Sequence, residues 1–192
     1  AEGIDVDAVL WIGGVGVTGI NAVAEILTGA INPSGSLVDT YCYDNYSSAA
    51  MQNFIATKYA GDLSKIPSSA QSYMIYQEGI YVGYKYYETR YEDFVMGTGN
   101  AGDYAYGDDV AYPFGYGLSY TEFSYSDLTV TEDAVHFTVR NIGSVYGEEI
   151  AQLYIHAATN GMFRPEQELK GFAKVGLNPG EKKQVTIALN DR

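Results

Sequence analysis

The sequence predicts an α/β fold in its first part, a partial and mostly parallel sheet, followed by an all-β sandwich of the immunoglobulin or fibronectin type. Two observations lead to this prediction. Residues 4–42 show the strand, helix and strand pattern of a parallel βαβ unit. Residues 122–192 instead hold a series of short alternating segments that are separated by turn residues. We therefore expect two domains, at residues 1–121 and 122–192.

The predicted βαβ unit begins with a continuous apolar run at residues 8–12 (AVLWI), which is typical of a strand buried on both faces of a parallel sheet. A helix is expected between Thr18, a good N-cap, and Gly29, a good C-cap, because apolar side chains recur there at helical spacing. Residues 36–41 form the second predicted strand. The handedness rule for such connections predicts a right-handed crossover.

The segment that follows, residues 43–121, is rich in tyrosine, glycine and serine. Sixteen of the 19 tyrosines lie between Tyr41 and Tyr120. Bulky and small residues alternate over residues 75–87, which favours extended segments. The glycine-rich residues 97–107 offer nothing that could bury a core, so we expect a mobile loop there.

Five alternating segments predict the strands of the sandwich. An immunoglobulin-type sandwich has about seven strands, so we expect this one to be incomplete. A parallel sheet without its neighbours would also expose apolar edges and faces, so we expect other polypeptide to cover them. The five predicted strands cover residues 123–130, 135–141, 149–156, 168–175 and 183–189.

Composition excludes several classes of partner. The formal net charge of −13 argues against a nucleic-acid partner, because binding to phosphates needs a basic face. It also disfavours docking to an anionic membrane surface, and no run of about 18 apolar residues predicts a membrane-spanning helix. The single cysteine, Cys42, rules out an internal disulfide and a cysteine-based zinc site. The sequence predicts no metal and no cofactor, and it does not predict the cellular compartment.

A glycine fingerprint offers one functional alternative, a dinucleotide-binding domain. Gly14, Gly16 and Gly19 fit the pattern between a predicted strand and a predicted helix. Asp39 stands where the ribose-binding acid would be expected, and such glycines let a pyrophosphate approach a helix N-terminus. A glycine turn is, however, needed wherever a buried strand leads into a helix, and no second mononucleotide-binding half follows. Dinucleotide binding is therefore kept only as an alternative.

Carboxylates are plentiful, and a glycosidase needs two of them about 5–10 Å apart. Surface acids usually serve as solvated groups or as partners of basic residues, here Lys85 and Arg90, and we favour that interpretation. His136 and His156 have no nucleophile at a recognisable spacing, and Cys42 follows a predicted strand, so we expect structural roles for all three. The acidic candidates are Glu78, Glu88, Glu92, Asp93, Asp103, Asp108 and Asp109.

Four sequence blocks together resemble the C-terminal half of glycoside hydrolase family 3, the β-glucosidase family. They follow one another in the family's order and span nearly the whole chain, which makes the resemblance far more specific than the glycine fingerprint. The blocks are VLWIGG to INPSG (residues 9–35), YQEGIYVGYKYY (76–87), YPFGYGLSYT (112–121) and RPEQELKGF to LNPGE (164–181).

The resemblance implies a retaining glycosidase in which a barrel domain carries an aspartate nucleophile. An α/β sandwich domain would carry the glutamate acid/base, and a fibronectin type III-like domain would follow. Neither catalytic motif occurs in this sequence, so no catalytic residue is assigned and the chain alone is expected to be inactive. Glu78 lies in a block that we interpret as structural. The implied partners are a β-linked oligosaccharide or glucoside and the remainder of the enzyme, in the same or a separate chain.

Ligands of open α/β sheets bind beyond the carboxyl ends of the strands. The residues after the predicted 36–41 strand are therefore expected to reach a sugar, Tyr43 and Tyr46 by stacking and Asp44 by accepting hydroxyl hydrogen bonds. The other tyrosines could stack on sugar rings or pack the seam between two domains, and both interpretations stay open. A non-catalytic carbohydrate-binding or adhesion module is a further alternative. The 97–107 loop could form a lid or contact a second subunit in a homo-oligomer.

Overall fold

A computed structural model describes residues 7–54, 56–98, 102–157 and 163–189 of the 192-residue chain. Short helices and short strands occupy the first part, and long antiparallel strands occupy the last part. No helix in these ranges is long and apolar enough to cross a membrane. In chain order the elements are α1 (Ile20–Leu27), β1 (Tyr41–Cys42), α2 (Ala49–Gln52), β2 (Thr57–Lys58), β3 (Ser72–Tyr73), α3 (Tyr84–Met96), α4 (Tyr106–Asp109), β4 (Val110–Tyr112), β5 (Phe123–Val130), β6 (Ala134–Asn141), β7 (Gly147–Ile155), β8 (Glu168–Leu177) and β9 (Lys182–Ala188).

The last five strands form a β-sandwich. One antiparallel sheet has the order β5-β6-β9, and β7 pairs with β8 in the second. Along β6, Val135, Phe137 and Val139 are buried, whereas His136 and Thr138 between them are partly exposed. The apolar set faces the other sheet because every second side chain of a strand lies on the same face. The core contains Val135, Phe137, Val139, Ala151, Leu177, Val185 and Ile187.

All five predicted strands of the sandwich are confirmed, each within two residues of its predicted bounds. These strands could be predicted because the alternation of apolar and polar residues involves only neighbouring positions in the sequence. Strand β5 departs from regular pairing where its register shifts between Ser126 and Thr129, and Asp127 there adopts a left-handed backbone with a φ of 57°. A bulge of this kind leaves residues of one strand unpaired and increases its local twist.

Asn141, at the end of β6, is fully buried and connects the two sheets. Its side-chain amide donates to the carbonyl oxygens of Val145, at 2.8 Å, and Leu177, at 3.0 Å. Its Oδ1 accepts from the Thr121 hydroxyl at 2.7 Å and from the Gly143 N–H at 3.0 Å. Asn141 thus uses both of its donors and both of its acceptor positions, which is what a buried amide requires.

The two predicted parallel strands are not formed. Residues 8–12 have no regular secondary structure, and Val9 and Trp11 are 75% and 67% exposed. Of the second segment only Tyr41 lies in a strand, β1, which pairs antiparallel to β4, and Leu37 exchanges backbone hydrogen bonds with Gly115 and Tyr116, so the predicted right-handed βαβ crossover is wrong here. A strand buried in a parallel sheet needs hydrogen-bonding neighbours on its edges. The described residues provide none for residues 8–12.

The predicted helix of this unit is confirmed as α1. It begins at Ile20, two residues after Thr18, and Gly29 beyond its end adopts a φ of 75°. No residue of α1 is buried, and the apolar side chains of Ile20 and Leu27 are exposed. A short helix gains most of its stability by packing its apolar face, so α1 has a face that another polypeptide could cover.

Helix α3 replaces part of the extended segment that was predicted for residues 75–87. That prediction is wrong from Tyr84 onward, because alternating tyrosines do not fix a strand when tertiary packing favours a helix. Gly83 and Gly97 flank the helix with φ values of 54° and 65°. The left-handed Gly97 lets the following N–H, that of Thr98, donate to the Asp93 carbonyl at 2.8 Å.

A second, smaller core packs α3 against the segment that follows it. The Arg90 guanidinium lies over the Tyr104 ring, 4.6 Å from the ring centroid, and 3.9 Å from the Asp109 carboxylate. Such a cation–π contact adds to the ion pair at a partly dry site. The buried residues of this core are Tyr87, Tyr104 and Val110.

The glycine-rich segment 97–107 was predicted to be a mobile loop that buries nothing, and this is wrong at Tyr104. That residue is 3% exposed, and its hydroxyl donates to the Tyr87 carbonyl at 3.5 Å. The glycines dominate the composition of the segment, but one tyrosine suffices to anchor it in the core of its neighbours. Residues 99–101 lie outside the described residues.

The turn at residues 32–35 attaches the first part of the chain to the sandwich. The Asn32 amide donates to the Tyr146 carbonyl at 3.0 Å. Its Oδ1 accepts from the Ser119 hydroxyl at 3.0 Å and from the Tyr120 N–H at 2.8 Å. One side chain therefore holds the first sequence block against the third block and against the start of β7.

Helix α3 is attached to the sandwich at the start of β8. The Leu169 N–H donates to the Tyr84 hydroxyl at 2.9 Å, and the Glu166 N–H donates to the Thr89 hydroxyl at 2.8 Å. The second and fourth sequence blocks therefore meet here. Tyr84 also packs edge-on against Tyr154 of β7 at 5.8 Å between ring centroids, which supports the interpretation that tyrosines pack the seam between the two parts.

Candidate functional site

The three residues that were predicted to reach a sugar lie together on one exposed turn directly after β1. Tyr43 and Tyr46 are 72% and 60% exposed, so both rings are accessible. Asp44 begins a 3-10 turn over Asn45–Ser47, and its Oδ1 accepts from the Tyr46 N–H at 2.9 Å. This capping hydrogen bond holds the Asp44 carboxylate at the start of the turn, and Asp44 lies between Tyr43 and Tyr46 in the sequence.

Two tyrosines of helix α3 hold this turn in place through hydrogen bonds to Ser47. The Ser47 and Tyr87 hydroxyls lie 2.7 Å apart, and the Tyr86 hydroxyl donates to the Ser47 carbonyl at 3.3 Å. Burial, and then the neighbouring Cys42, raise the pKa of Tyr87 to about 12, so its hydroxyl stays protonated at neutral pH. The Tyr43 N–H also donates to the Asp109 carbonyl at 3.0 Å. The turn is therefore anchored by the second core.

One aromatic residue beside this turn was missed by the sequence analysis. Trp11 lies edge-on to Tyr41 of β1, with 6.0 Å between the ring centroids. It was expected to be buried in a strand, because it stands in a continuous apolar run. The structure exposes it instead, so a third accessible ring lies next to the strand that leads into the turn.

The acidic candidates are distributed among separate contacts. The Tyr106 hydroxyl donates to Glu88 Oε1, Arg90 pairs with Asp109, and the Thr98 hydroxyl donates to Asp93. These contacts agree with the interpretation of the acids as partners of neighbouring groups. Within the described ranges, no group of three or more His, Cys, Asp and Glu side chains could hold a metal ion.

The two histidines lie in the sandwich, away from the turn in sequence. His136 Nδ1 lies 2.9 Å from the Thr186 hydroxyl across β6 and β9. His156 Nδ1 lies 3.2 Å from a Glu166 carboxylate oxygen, next to the seam with α3. Both contacts fit the structural roles that were expected for these residues.

The glycine fingerprint lacks the structural context that dinucleotide binding needs. Residues 8–12, which should form the preceding strand, have no regular structure. A Cβ placed on Gly14 or Gly16 would meet no atom within 4 Å, so no other described part of the chain comes close to the backbone at these two glycines. Asp39 is exposed. The geometry therefore offers no support for the dinucleotide-binding alternative.

Family models match both parts of the chain. The glycosyl hydrolase family 3 C-terminal domain matches residues 2–84, and the fibronectin type III-like domain matches residues 149–192. The class of protein that this fold defines is thus the C-terminal region of a glycoside hydrolase with an appended β-sandwich.

Relatives and solved structures agree with these matches. The chain is 36% identical over 190 residues to thermostable β-glucosidase B of Acetivibrio thermocellus, covering 95% of this chain and 21% of that protein. It is 40% identical over 179 residues to probable β-glucosidase K of Emericella nidulans, covering 92% of this chain and 18% of the relative. The structure of β-glucosidase 3B from Thermotoga neapolitana in complex with α-D-glucose superposes with a TM-score of 0.67 at 39% identity, covering 87% of this chain and 20% of that one.

Residues 2–84 match the C-terminal domain of glycoside hydrolase family 3, and the chain spans about a fifth of the length of the curated relatives that it matches. The resemblance noted in the sequence is thereby confirmed. So is the fold class, an α/β-type region followed by a fibronectin-like sandwich, although the parallel pairing is not formed among the described residues.

Proposed function

We propose that this chain forms the C-terminal part of a β-glucosidase-like enzyme that hydrolyses terminal β-D-glucosyl or related residues with retention of configuration. The observation that carries the proposal is the alignment of 95% of the chain with a relative named as a β-glucosidase. In the whole enzyme, the helical part would form one wall of the sugar pocket, and the sandwich would brace that wall.

The chemistry requires two carboxylates about 5–5.5 Å apart, one as nucleophile and one as acid/base. The family motifs for these groups do not occur in this sequence, and three of the acidic candidates, Glu88, Asp93 and Asp109, are engaged in contacts with a tyrosine, a threonine and an arginine. We therefore propose that the chain alone does not hydrolyse glycosides and that the catalytic pair belongs to the remainder of the enzyme.

The remainder of the enzyme would also cover the exposed apolar surface of the first part of this chain. Several large apolar side chains along residues 9–38 are exposed, and exposure of this kind, beyond scattered single residues, marks an interaction surface. They include Val9, Trp11, Val17, Ile20, Leu27 and Val38. A barrel domain, in the same or a separate chain, is the partner that the family predicts.

Tyr43, Asp44 and Tyr46 are the proposed contacts with the sugar. Exposed rings can stack on the C–H faces of a pyranose, and the Asp44 carboxylate can accept hydrogen bonds from hydroxyls. Hydrogen bonds to a charged group contribute about 1.5–3 kcal/mol, and an aromatic contact contributes about 0.5–1.5 kcal/mol beyond its burial. Three such contacts could orient one terminal sugar residue in the pocket.

A chimera tests this function. The matching region of thermostable β-glucosidase B, to which the chain is 36% identical, is replaced by this chain. We expect the chimera to hydrolyse 4-nitrophenyl β-D-glucoside. Tyr43→Ala should lower kcat/KM about tenfold, and Asp44→Asn about tenfold or more, because Asn keeps the capping acceptor but loses the charge.

Phe172→Ala is the matched control for the chimera. Phe172 is an exposed aromatic residue on β8, in the sandwich, so its removal should leave kcat/KM within about twofold of the parent chimera. Unchanged kcat/KM for both Tyr43→Ala and Asp44→Asn, in an active chimera, would remove the turn from the sugar pocket.

The second candidate function is a non-catalytic carbohydrate-binding or adhesion module, which the exposed Tyr43 and Tyr46 favour. It predicts that the chain alone binds a β-glucan and that the chimera is inactive. An active chimera excludes it.

The domain division is also a proposal, with the boundary between residues 121 and 122. The first strand of the sandwich begins at Phe123, and Glu122 before it is exposed. Limited proteolysis should therefore release a stable fragment that starts near residue 122. A homo-oligomer formed through residues 97–107 would be detected by sedimentation of the chain.

A further inference from the structure

A cleft of about 510 Å³ lies where α3, the segment before β5 and strand β7 meet. Its volume falls in the range of about 300–1,000 Å³ that is usual for small-ligand sites. Four separate segments of the chain line it, including Gln167 just before β8. The lining residues used below are Glu88 and Tyr91 of α3, Tyr106 of α4, Phe114, and Gln152 and Tyr154 of β7. None of the three residues of the turn after β1 lines this cleft.

The aromatic walls of the cleft are held in place by their neighbours. Tyr84 packs against Phe114 at 4.7 Å and edge-on against Tyr154 at 5.8 Å between ring centroids. Tyr91 packs edge-on against Tyr106 at 5.4 Å. Tyr91 is nevertheless 44% exposed, so part of its ring remains free to stack on a ligand.

Polar groups between these rings can recognise hydroxyls. The Tyr106 hydroxyl donates to Glu88 Oε1 at 2.5 Å, and the Tyr154 hydroxyl donates to Gln152 Oε1 at 2.5 Å. A carboxylate accepts several hydrogen bonds and an amide also donates two, so Glu88 and Gln152 retain capacity for a ligand. Burial raises the pKa of Tyr154 to about 12 and also raises that of Tyr106, so both hydroxyls are neutral at neutral pH.

The charge of the cleft selects among ligands. None of the described residues that line it is basic, and Glu88 is its acidic member. An anionic ligand would be repelled by Glu88 and would find no cation. A neutral polyhydroxylated ring, with an apolar face for stacking and hydroxyls for the carboxylate and amides, fits both the shape and the charge.

We propose that this cleft is a second glycan-binding site, which takes neutral pyranosides and takes no part in hydrolysis. Tyr91 supplies the stacking surface, Glu88 accepts hydrogen bonds from sugar hydroxyls, and the Gln152 side-chain NH2 donates to them. The site joins α3 to the sandwich, so a bound glycan would contact both parts of the chain. It goes beyond the proposed hydrolytic function and does not depend on it.

Titration of the 192-residue chain with cellotetraose, followed by the amide resonances in NMR, tests the site. We expect saturable shifts at Glu88, Tyr91 and Gln152 with a dissociation constant of about 1–10 mM. The anionic probe digalacturonate should bind at least about tenfold more weakly, because of Glu88. Absence of saturation up to about 50 mM cellotetraose, or shifts confined to residues 43–46, would overturn the proposal.

Two variants separate a binding role from a structural one. Tyr91→Ala should weaken cellotetraose binding about three- to tenfold, while Phe172→Ala, an exposed aromatic outside the cleft, should not change it. Glu88→Gln keeps an acceptor for Tyr106 but loses the second carboxylate oxygen, so it should weaken cellotetraose binding about three- to tenfold while strengthening digalacturonate binding at least about threefold. If Tyr91→Ala does not fold, the Glu88→Gln result decides. The site is contradicted if Tyr91→Ala binds cellotetraose, or Glu88→Gln binds digalacturonate, with the same affinity as the parent chain.

Discussion

Replacing Asn141 by Leu should strongly destabilise the β-sandwich. Asn141 is fully buried and makes four hydrogen bonds, two as donor and two as acceptor. Leucine has a similar volume but leaves the Leu177 carbonyl and the Thr121 hydroxyl without their partner, and both lie in buried residues. Each buried polar group that loses its partner costs about 1–3 kcal/mol, and the added apolar burial offsets up to about 2 kcal/mol. We expect a net loss of about 2–4 kcal/mol.

Urea unfolding of the 192-residue chain, followed by far-ultraviolet circular dichroism, measures this loss. Gln184→Leu is the matched control, because Gln184 is an exposed amide on β9 of the same sheet. It should change the free energy of unfolding by less than about 0.5 kcal/mol. An Asn141→Leu variant whose stability lies within about 0.5 kcal/mol of the parent would refute the argument that this amide connects the two sheets.

Three further predictions concern the seam, the turn and acid stability. Asn32→Ala removes three hydrogen bonds, of which the one to the Tyr146 carbonyl joins the two parts of the chain, and should cost about 1–3 kcal/mol, seen as faster proteolysis between these parts. Tyr87→Phe removes the hydroxyl contact to Ser47 and should cost about 1 kcal/mol, seen as faster amide exchange at residues 45–47. Burial acts to raise the pKa of Glu168, but Lys170 and Arg164 outweigh it and hold that pKa below its usual value. Its stabilisation is therefore complete above about pH 4.5 and is lost as the pH falls through the lowered pKa, a loss that Glu168→Gln should not show in acid titrations of stability.

The sandwich could be predicted from the sequence because its signal is local. In β6, Val135, Phe137 and Val139 alternate with polar residues, and in β9 Val185 and Ile187 do the same. The network around Asn141 could not be predicted, since it joins residues from positions 121 to 177. Its members come together only after the two sheets have packed.

The first part of the chain was predicted less well, for a physical reason. Residues 8–12 have the composition of a buried strand, but a strand forms only where neighbours hydrogen-bond to it. Tyr104 gave no signal within its glycine-rich segment, although it is buried against α3. The composition of a segment can be obtained from the sequence, whereas the burial of one of its residues depends on the elements that pack against it.

The candidate sites differ in the same way. Tyr43, Asp44 and Tyr46 directly follow a predicted strand, so they could be proposed from the sequence alone. Their contact with a sugar stays a prediction. The cleft at Tyr91 was missed, because its lining comes from positions 88, 91, 106, 113, 114, 152, 154 and 167. Sequence spacing gives no indication that these segments meet.

The most direct measurement of the central claim is hydrolysis of 4-nitrophenyl β-D-glucoside by the purified 192-residue chain alone. We expect no release of nitrophenol above the buffer rate, and release only when this chain replaces the matching region of a complete family 3 relative. Turnover by the chain alone, abolished when one of its own carboxylates such as Glu78 or Glu88 is changed to the amide, would contradict it.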